Sequence, residues 1–175
     1  MKRNTLFISI LLSALFAVCS CQSSKTDEER ALEYRVDSLA HIKADRALQN
    51  RRFVIMAERV SIGRAGIMLN NLRRETNFVY VVDNDAVIQL ALENGNIGFN
   101  GLGGITLRGS VSKPRYRVDK KGNISYSYTV FGNGANAEVD IRLFAGSDDA
   151  QAYINSPFHS DRMVIYGKVQ PYNGQ

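Results

Sequence analysis

The sequence predicts a mainly β domain: an antiparallel meander of about eight strands, closed into a barrel or folded into a two-sheet sandwich, preceded by one N-terminal helix. Three observations predict it. From residue 53 onward apolar residues recur at every second position, as in Ile124-Tyr126-Tyr128-Val130 and Ala137-Val139-Ile141-Leu143. That alternation belongs to antiparallel strands with one face in a core and the other in water. Short clusters of Asp, Asn and Gly separate successive runs, which is the composition of tight turns. Helical spacing is confined to residues before 51.

The first element is a leader. Lys2 and Arg3 precede an apolar run from Leu6 to Val18, interrupted only by Ser9 and Ser13. The run is shorter than the roughly 20 apolar residues of a spanning helix and fits an export signal. Val18-Cys19-Ser20-Cys21 resembles the lipobox of bacterial lipoproteins, with Cys19 an unusual but small occupant of its position. Cleavage is expected before Cys21, removing residues 1–20. Cys19 is the weaker anchor, because it would place bulky Val18 at the cleavage position. Cysteine alone is nucleophilic enough to take a diacylglycerol as a stable thioether. Each buried CH₂ then contributes about 0.8 kcal/mol, so two or three chains hold the protein to its membrane. The expected location is the cell envelope, at the outer membrane, facing the periplasm or the exterior.

This leader changes how the composition reads. Of 22 Lys and Arg, Lys2 and Arg3 leave with it, so 20 remain against 17 Asp and Glu. That mild basic bias carries no nucleic-acid signature. The chain holds 2 cysteines, Cys19 and Cys21. One departs and the other is acylated, so the mature domain is expected to have no disulfide, free thiol or cysteine metal site. With 45% hydrophobic residues it has enough apolar surface for a core of its own.

Residues 21–30 read as a lipidated tether. Residues 31–50 read as a helix whose pattern reaches back to residue 27. Asp27-Glu28-Glu29 has two readings: it resembles the export tag of Bacteroidetes surface lipoproteins, and it also suits the first turn of a helix. Leu32, Val36 and Leu39 form a one-sided apolar stripe, and Ala40, Ala44 and Ala47 add helix propensity. The stripe is thin, so the helix is expected to lie on the domain surface or to close one end. His41 reads as a solvated residue.

Residues 51–175 form the β domain. Strands are expected over 53–59, 78–82, 86–92, 105–118, 124–130, 137–143 and 163–169. Asp83-Asn84-Asp85 is a tight turn, Asn133-Gly134 a two-residue hairpin turn, and residues 119–123 a longer turn with Gly122 left-handed. In the longest strand Ile105, Leu107 and Val111 share one phase, whereas Tyr116 and Val118 share the other. A bulge near Lys113-Pro114 accounts for that slip and for the proline.

No motif assigns catalysis, a cofactor or a metal. The glycine-rich stretch at residues 98–104 precedes a strand, not the helix N-terminus that a phosphate loop requires. His159-Ser160-Asp161 has the letters of a triad, but triads assemble in space, so the stretch reads as a turn before the last strand. Asp148 and Asp149 lack the spaced oxygen ligands of a calcium loop and read as a solvated turn. Lys113, Arg115 and Arg117 alternate on one face, with Lys120 and Lys121 in the turn that follows. Such a patch would meet anionic lipid headgroups or acidic glycans, at about 1 kcal/mol per charge near a membrane. The plainer reading is a charged edge strand resisting aggregation. Tyr126 and Tyr128 share a face with Ile124 and Val130. In a barrel interior their hydroxyls would meet a ligand or a buried water, or would reach the rim from the core. The chain has no Trp, which weighs against a sugar platform.

Several stretches resemble one family of Bacteroidetes lipoproteins, the domain of unknown function 4251. They are Thr76-Asn77-Phe78-Val79, Ala86-Val87-Ile88-Gln89-Leu90, Gly101-Leu102-Gly103-Gly104-Ile105-Thr106, Lys120-Lys121-Gly122-Asn123-Ile124 and Gly167-Lys168-Val169-Gln170-Pro171-Tyr172. The similarity covers roughly residues 48–172. It implies a single all-β envelope domain on a lipid anchor and brings no activity or functional residues. The expected function is non-enzymatic: binding of a small apolar ligand inside the domain, or of an envelope protein on its surface. The rivals are a structural accessory subunit without a ligand site, and an enzyme.

Overall fold

The structure is a computed structural model that describes residues 25–63, 66–70, 72–91, 104–156 and 159–174. The leader, Cys21 with its lipobox, the tether up to residue 24 and residues 98–103 of the glycine-rich stretch lie outside the described residues. The chain divides into Met1–Glu33 and Tyr34–Gln175.

In the first part a helix, α1 (Asp27–Gln49), begins. Its start is a reciprocal cap. The Glu29 N–H donates to Thr26 Oγ1 at 3.2 Å, and the Thr26 N–H donates to Glu29 Oε2 at 2.8 Å. Asp27, Glu28 and Glu29 occupy the first turn, where the helix dipole favours acids. The helix thus begins at Asp27, inside the span expected as tether.

In the second part the helix buries a different face from the one its sequence advertises. Val36 and Leu39 of the stripe are exposed, whereas Ala44, Ala47 and Leu48 are buried and join the barrel core. The last turns of α1 meet the barrel, and there the small alanines allow close approach. The Tyr116 hydroxyl donates to Asp45 Oδ1 at 2.7 Å, and His41 Nδ1 lies 2.8 Å from the Ser147 carbonyl oxygen. His41 is thus half-buried and bonded to backbone instead of solvated.

The strands are β1 (Arg52–Ile62), β2 (Ile67–Asn70), β3 (Asn77–Val82), β4 (Asp85–Ala91), β5 (Gly104–Val118), β6 (Ile124–Gly132), β7 (Asn136–Leu143), β8 (Asp149–Ser156) and β9 (His159–Pro171). Every pairing is antiparallel, and β9 returns to pair with β1. The meander therefore closes into an eight-stranded barrel, with β2 as one extra strand. β1 carries the seam. Its first half pairs with β3 at Arg52 to Met56, its second half with β2 at Arg59 to Ile62, and its other edge with β9 throughout. Closure leaves few free edges, which is how an antiparallel meander avoids pairing with other chains. α1 meets the barrel at the end formed by the β5–β6 and β7–β8 turns.

Local chemistry sets these registers. Asp119 Oδ1 accepts from the Lys121 and Asn123 N–H groups, and Gly122 takes the left-handed conformation at φ 83°. That Asx-type turn fixes Val118 opposite Ile124. The bulge lies where the phase slip places it: β5 gains one residue on β6 between Ser112 and Arg115, with Lys113 at φ 51°. In the β6–β7 turn Gly134 alone of the Asn133-Gly134 pair has positive φ, and the Gly132 N–H donates to the Ala135 carbonyl at 2.8 Å. β9 starts at His159, so His159, Ser160 and Asp161 belong to the strand and not to a turn.

Candidate functional site

Two places in the β domain bring chemistry together: the barrel interior behind β6, and the outer wall from β5 to β9. The alternation of β6 decides which residue goes where. Ile124, Tyr126, Tyr128 and Val130 point inward and are buried, while Ser125, Ser127 and Thr129 take the outer face.

Inside, Tyr126 and Tyr128 are each only 3% exposed. Phe53 of β1 reaches across to both, edge-on, with ring centroids 5.8 Å from Tyr126 and 6.5 Å from Tyr128. The two tyrosine rings are 5.6 Å apart. Both hydroxyls are buried without a hydrogen-bond partner among the described residues. Burial pushes each phenol above its ordinary pKa. In Tyr126 the Arg51 charge offsets part of that shift, whereas Tyr128 gains a further push from Tyr126. Both therefore remain neutral donors at any physiological pH. A buried hydroxyl left unpaired costs about 1–3 kcal/mol, so the pair marks the least satisfied spot in the described core. The other deeply buried polar side chain, Asn77, is fully engaged: its Nδ2 donates to the Arg73 carbonyl at 2.8 Å, and its Oδ1 accepts from the Ala91 N–H at 2.9 Å.

Outside, the structure separates the five basic residues of the sequence patch. Arg115 and Arg117 stand on the outer wall of β5, while Lys113 is the extra residue of the bulge and leaves their row. Lys120 and Lys121 stay exposed in the turn and line no groove with them. Two arginines that spacing alone did not single out take their place, Arg142 of β7 and Arg162 of β9. With Arg115 and Arg117 they line an open groove of about 560 Å³. The signal was present in the register: the 119–123 turn sets Arg117 opposite Ser125, and the next hairpin sets Ser125 opposite Arg142.

Asp148 lies in the β7–β8 turn and Asp149, exposed, opens β8, and both engage a lysine. Asp148 Oδ1 accepts from Lys168 Nζ at 2.5 Å, and Asp149 Oδ1 lies 3.1 Å from the same ammonium. The bond to Asp148, reinforced by Asp149, raises the Lys168 pKa above its ordinary value against the opposing pull of burial. Among the described residues, no cluster of three His, Cys, Asp or Glu is placed to hold a metal ion, and no helix is long and apolar enough to cross a membrane.

An antiparallel meander closed on itself, with a helix docked against one end, defines the class: an up-and-down eight-stranded β-barrel. The chain belongs to the family described as domain of unknown function (DUF4251), whose model matches residues 37–169. The match begins inside α1, so the docked end of the helix is part of the family domain. The chain is also similar to a DUF4251 family protein from Bacteroides eggerthii known from a crystal structure. The two are 33% identical with a TM-score of 0.69, over 79% of this chain and 91% of that one. No curated protein matches the chain.

Proposed function

We propose that this chain is a lipid-anchored envelope lipoprotein, held through Cys21 at the outer membrane, whose barrel is a non-enzymatic binding module. Its ligand is a small, largely apolar molecule that enters the barrel interior and places a polar group against Tyr126 and Tyr128. The observation that carries this reading is the pair of buried hydroxyls without partners among the described residues. A hydrophobic interior with a few convergent polar groups is the usual composition of a ligand site in a barrel. The leader pattern, with its basic start and its resemblance to a lipobox, supports the anchor.

The experiment is native mass spectrometry of the chain lacking residues 1–20, with Cys21→Ser, after incubation with an envelope extract. The expected result is a reproducible added mass of a few hundred daltons that is lost on denaturation and weakened in Tyr128→Phe. No added mass, with a control lipocalin loading from the same extract, would reject the ligand and leave a structural accessory subunit. One observation favours that rival: Leu48 and Phe53 are fully buried in the same core cluster as the tyrosines. The anchor has its own test. Cells expressing the full chain should incorporate labelled palmitate into it, and Cys21→Ser should abolish the label; retained label would place the anchor elsewhere.

A further inference from the structure

The groove on the outer wall touches the inward-facing Tyr126 and Ile141 at its floor, and the rest of its lining has a definite polar and charged character. Arg117 stands opposite Ser125, and Ser125 opposite Arg142. Neighbouring strands lie about 4.8 Å apart, so the two arginines rise about 10 Å from each other with a short serine between them. In the next row Arg115 faces Ser127, Ser127 faces Asp140, and Asp140 faces Tyr153. The Arg162 guanidinium lies 4.4 Å from the centre of the Tyr153 ring and bounds that side. Four arginines thus surround a single carboxylate in a groove of about 560 Å³, within the size range of small-molecule sites.

None of the four arginines, nor Asp140, is in an ion pair among the described residues. Elsewhere on the same surface the pattern is different: Arg52 is paired with Asp83, Arg74 with Glu58, and Lys168 with Asp148 and Asp149. A wall built for sheet stability alone would set opposite charges directly across from each other. Here serines stand across from Arg115, Arg117 and Arg142 instead. Arg142 also lies over the Phe144 ring at 5.7 Å and its charge acts on Asp119 at the neighbouring turn, so its pairing is looser than the ion pairs elsewhere but not absent.

We propose that this groove binds a saccharide that carries a carboxylate or a phosphate. The forks of Arg117 and Arg142 suit such an anion, because guanidinium presents paired donors to two of its oxygens. Ser125 and Ser127 leave space at the floor and add hydroxyls that donate or accept. Asp140 selects against a bare anion. Its carboxylate only accepts hydrogen bonds, so it repels free phosphate and welcomes the hydroxyls of a sugar.

The test is calorimetric titration of the full chain in uncharged detergent with four probes: tri-galacturonate, glucose 6-phosphate, neutral galactotriose and inorganic phosphate. At least one acidic saccharide should bind, with affinity falling as salt rises, while galactotriose should not. The Arg117→Gln/Arg142→Gln double variant should lose about tenfold or more of that affinity at unchanged melting temperature. Asp140→Asn separates the sugar site from a plain basic patch. Removing a negative charge should strengthen the binding of any bare anion, yet weaken the acidic saccharide severalfold if Asp140 accepts its hydroxyls. The proposal is overturned if neither acidic saccharide binds, if the double variant binds as well as wild type, or if Asp140→Asn tightens saccharide and phosphate alike.

Discussion

At the scale of single residues, Tyr128 and Asp119 make opposite demands on their surroundings. The Tyr128 hydroxyl is deep in the core without a partner among the described residues, so removing it should relieve a cost instead of creating one. Tyr128→Phe is expected to raise the unfolding free energy of the ligand-free domain by about 1 kcal/mol, read from urea midpoints at constant slope. A loss of similar size would mean that the hydroxyl is satisfied in solution. Asp119 is the reverse case. Its side-chain bond from Asn123, followed by the backbone N–H bonds of Asn123 and Lys121, holds the carboxyl below its ordinary pKa. The folded state therefore gains from the ionised form. That gain is present above the ordinary Asp range and fades as pH falls through the lowered value. Asp119→Ala should be less stable than wild type at neutral pH, and the gap should narrow steadily on acidification. A gap that does not change with pH would assign the effect to the turn backbone alone.

At the scale of elements, helix α1 shows why pattern and packing can disagree. Leu39, on the visible stripe, is 59% exposed, whereas Leu48 is fully buried among barrel residues. Leu48→Ala should cost about 2–5 kcal/mol in chemical unfolding, while Leu39→Gln should stay within about 0.5 kcal/mol. Equal effects would mean that the stripe, and not the last turns, docks the helix. The strands were legible to the degree that their inward residues are large. β6 and β7 could be read directly, because Ile124, Tyr126, Val139 and Leu143 alternate with Ser, Glu and Asp. β8 escaped notice because two of its inward residues are Ala150 and Ala152, too small to stand out from the polar residues beside them. β2 is apolar in sequence, Ile67-Met68-Leu69, but at four residues it is too short to show alternation, and Ile67 and Met68 are exposed instead of buried. The bulge was readable because Pro114 and a change of phase mark the same spot. The groove was half legible. Alternation put Arg115 and Arg117 on one face, but finding Arg142 needed the register across two turns, and finding Arg162 needed β8 as well.

At the scale of the whole molecule, the barrel exists only because its last strand returns to its first. That seam runs from Phe53 opposite Pro171 to Ile62 opposite Met163, and it shifts by a bulge between Ala57 and Arg59. Gly167 sits beside the bulge, opposite Ala57. A Cβ there would lie 2.2 Å from the Met56 carbonyl oxygen and 3.2 Å from an Ile55 methyl. The oxygen is backbone within a paired strand, so it cannot swing aside as a flexible side chain would. Gly167→Ala should therefore cost about 3 kcal/mol, at the upper end of overpacking penalties. Gly134→Ala is the control, since its Cβ would meet nothing within 4 Å and only its φ of 88° is strained. That change should cost about 1–2 kcal/mol and leave the seam intact. The two variants should also differ in association. A loosened seam exposes the facing edges of β1 and β9, which are templates for pairing with a second chain. Gly167→Ala should accordingly show a concentration-dependent dimer by light scattering that Gly134→Ala lacks. If Gly167→Ala is as stable and as monomeric as the control, the close approach at the seam relaxes in solution and closure does not depend on that glycine.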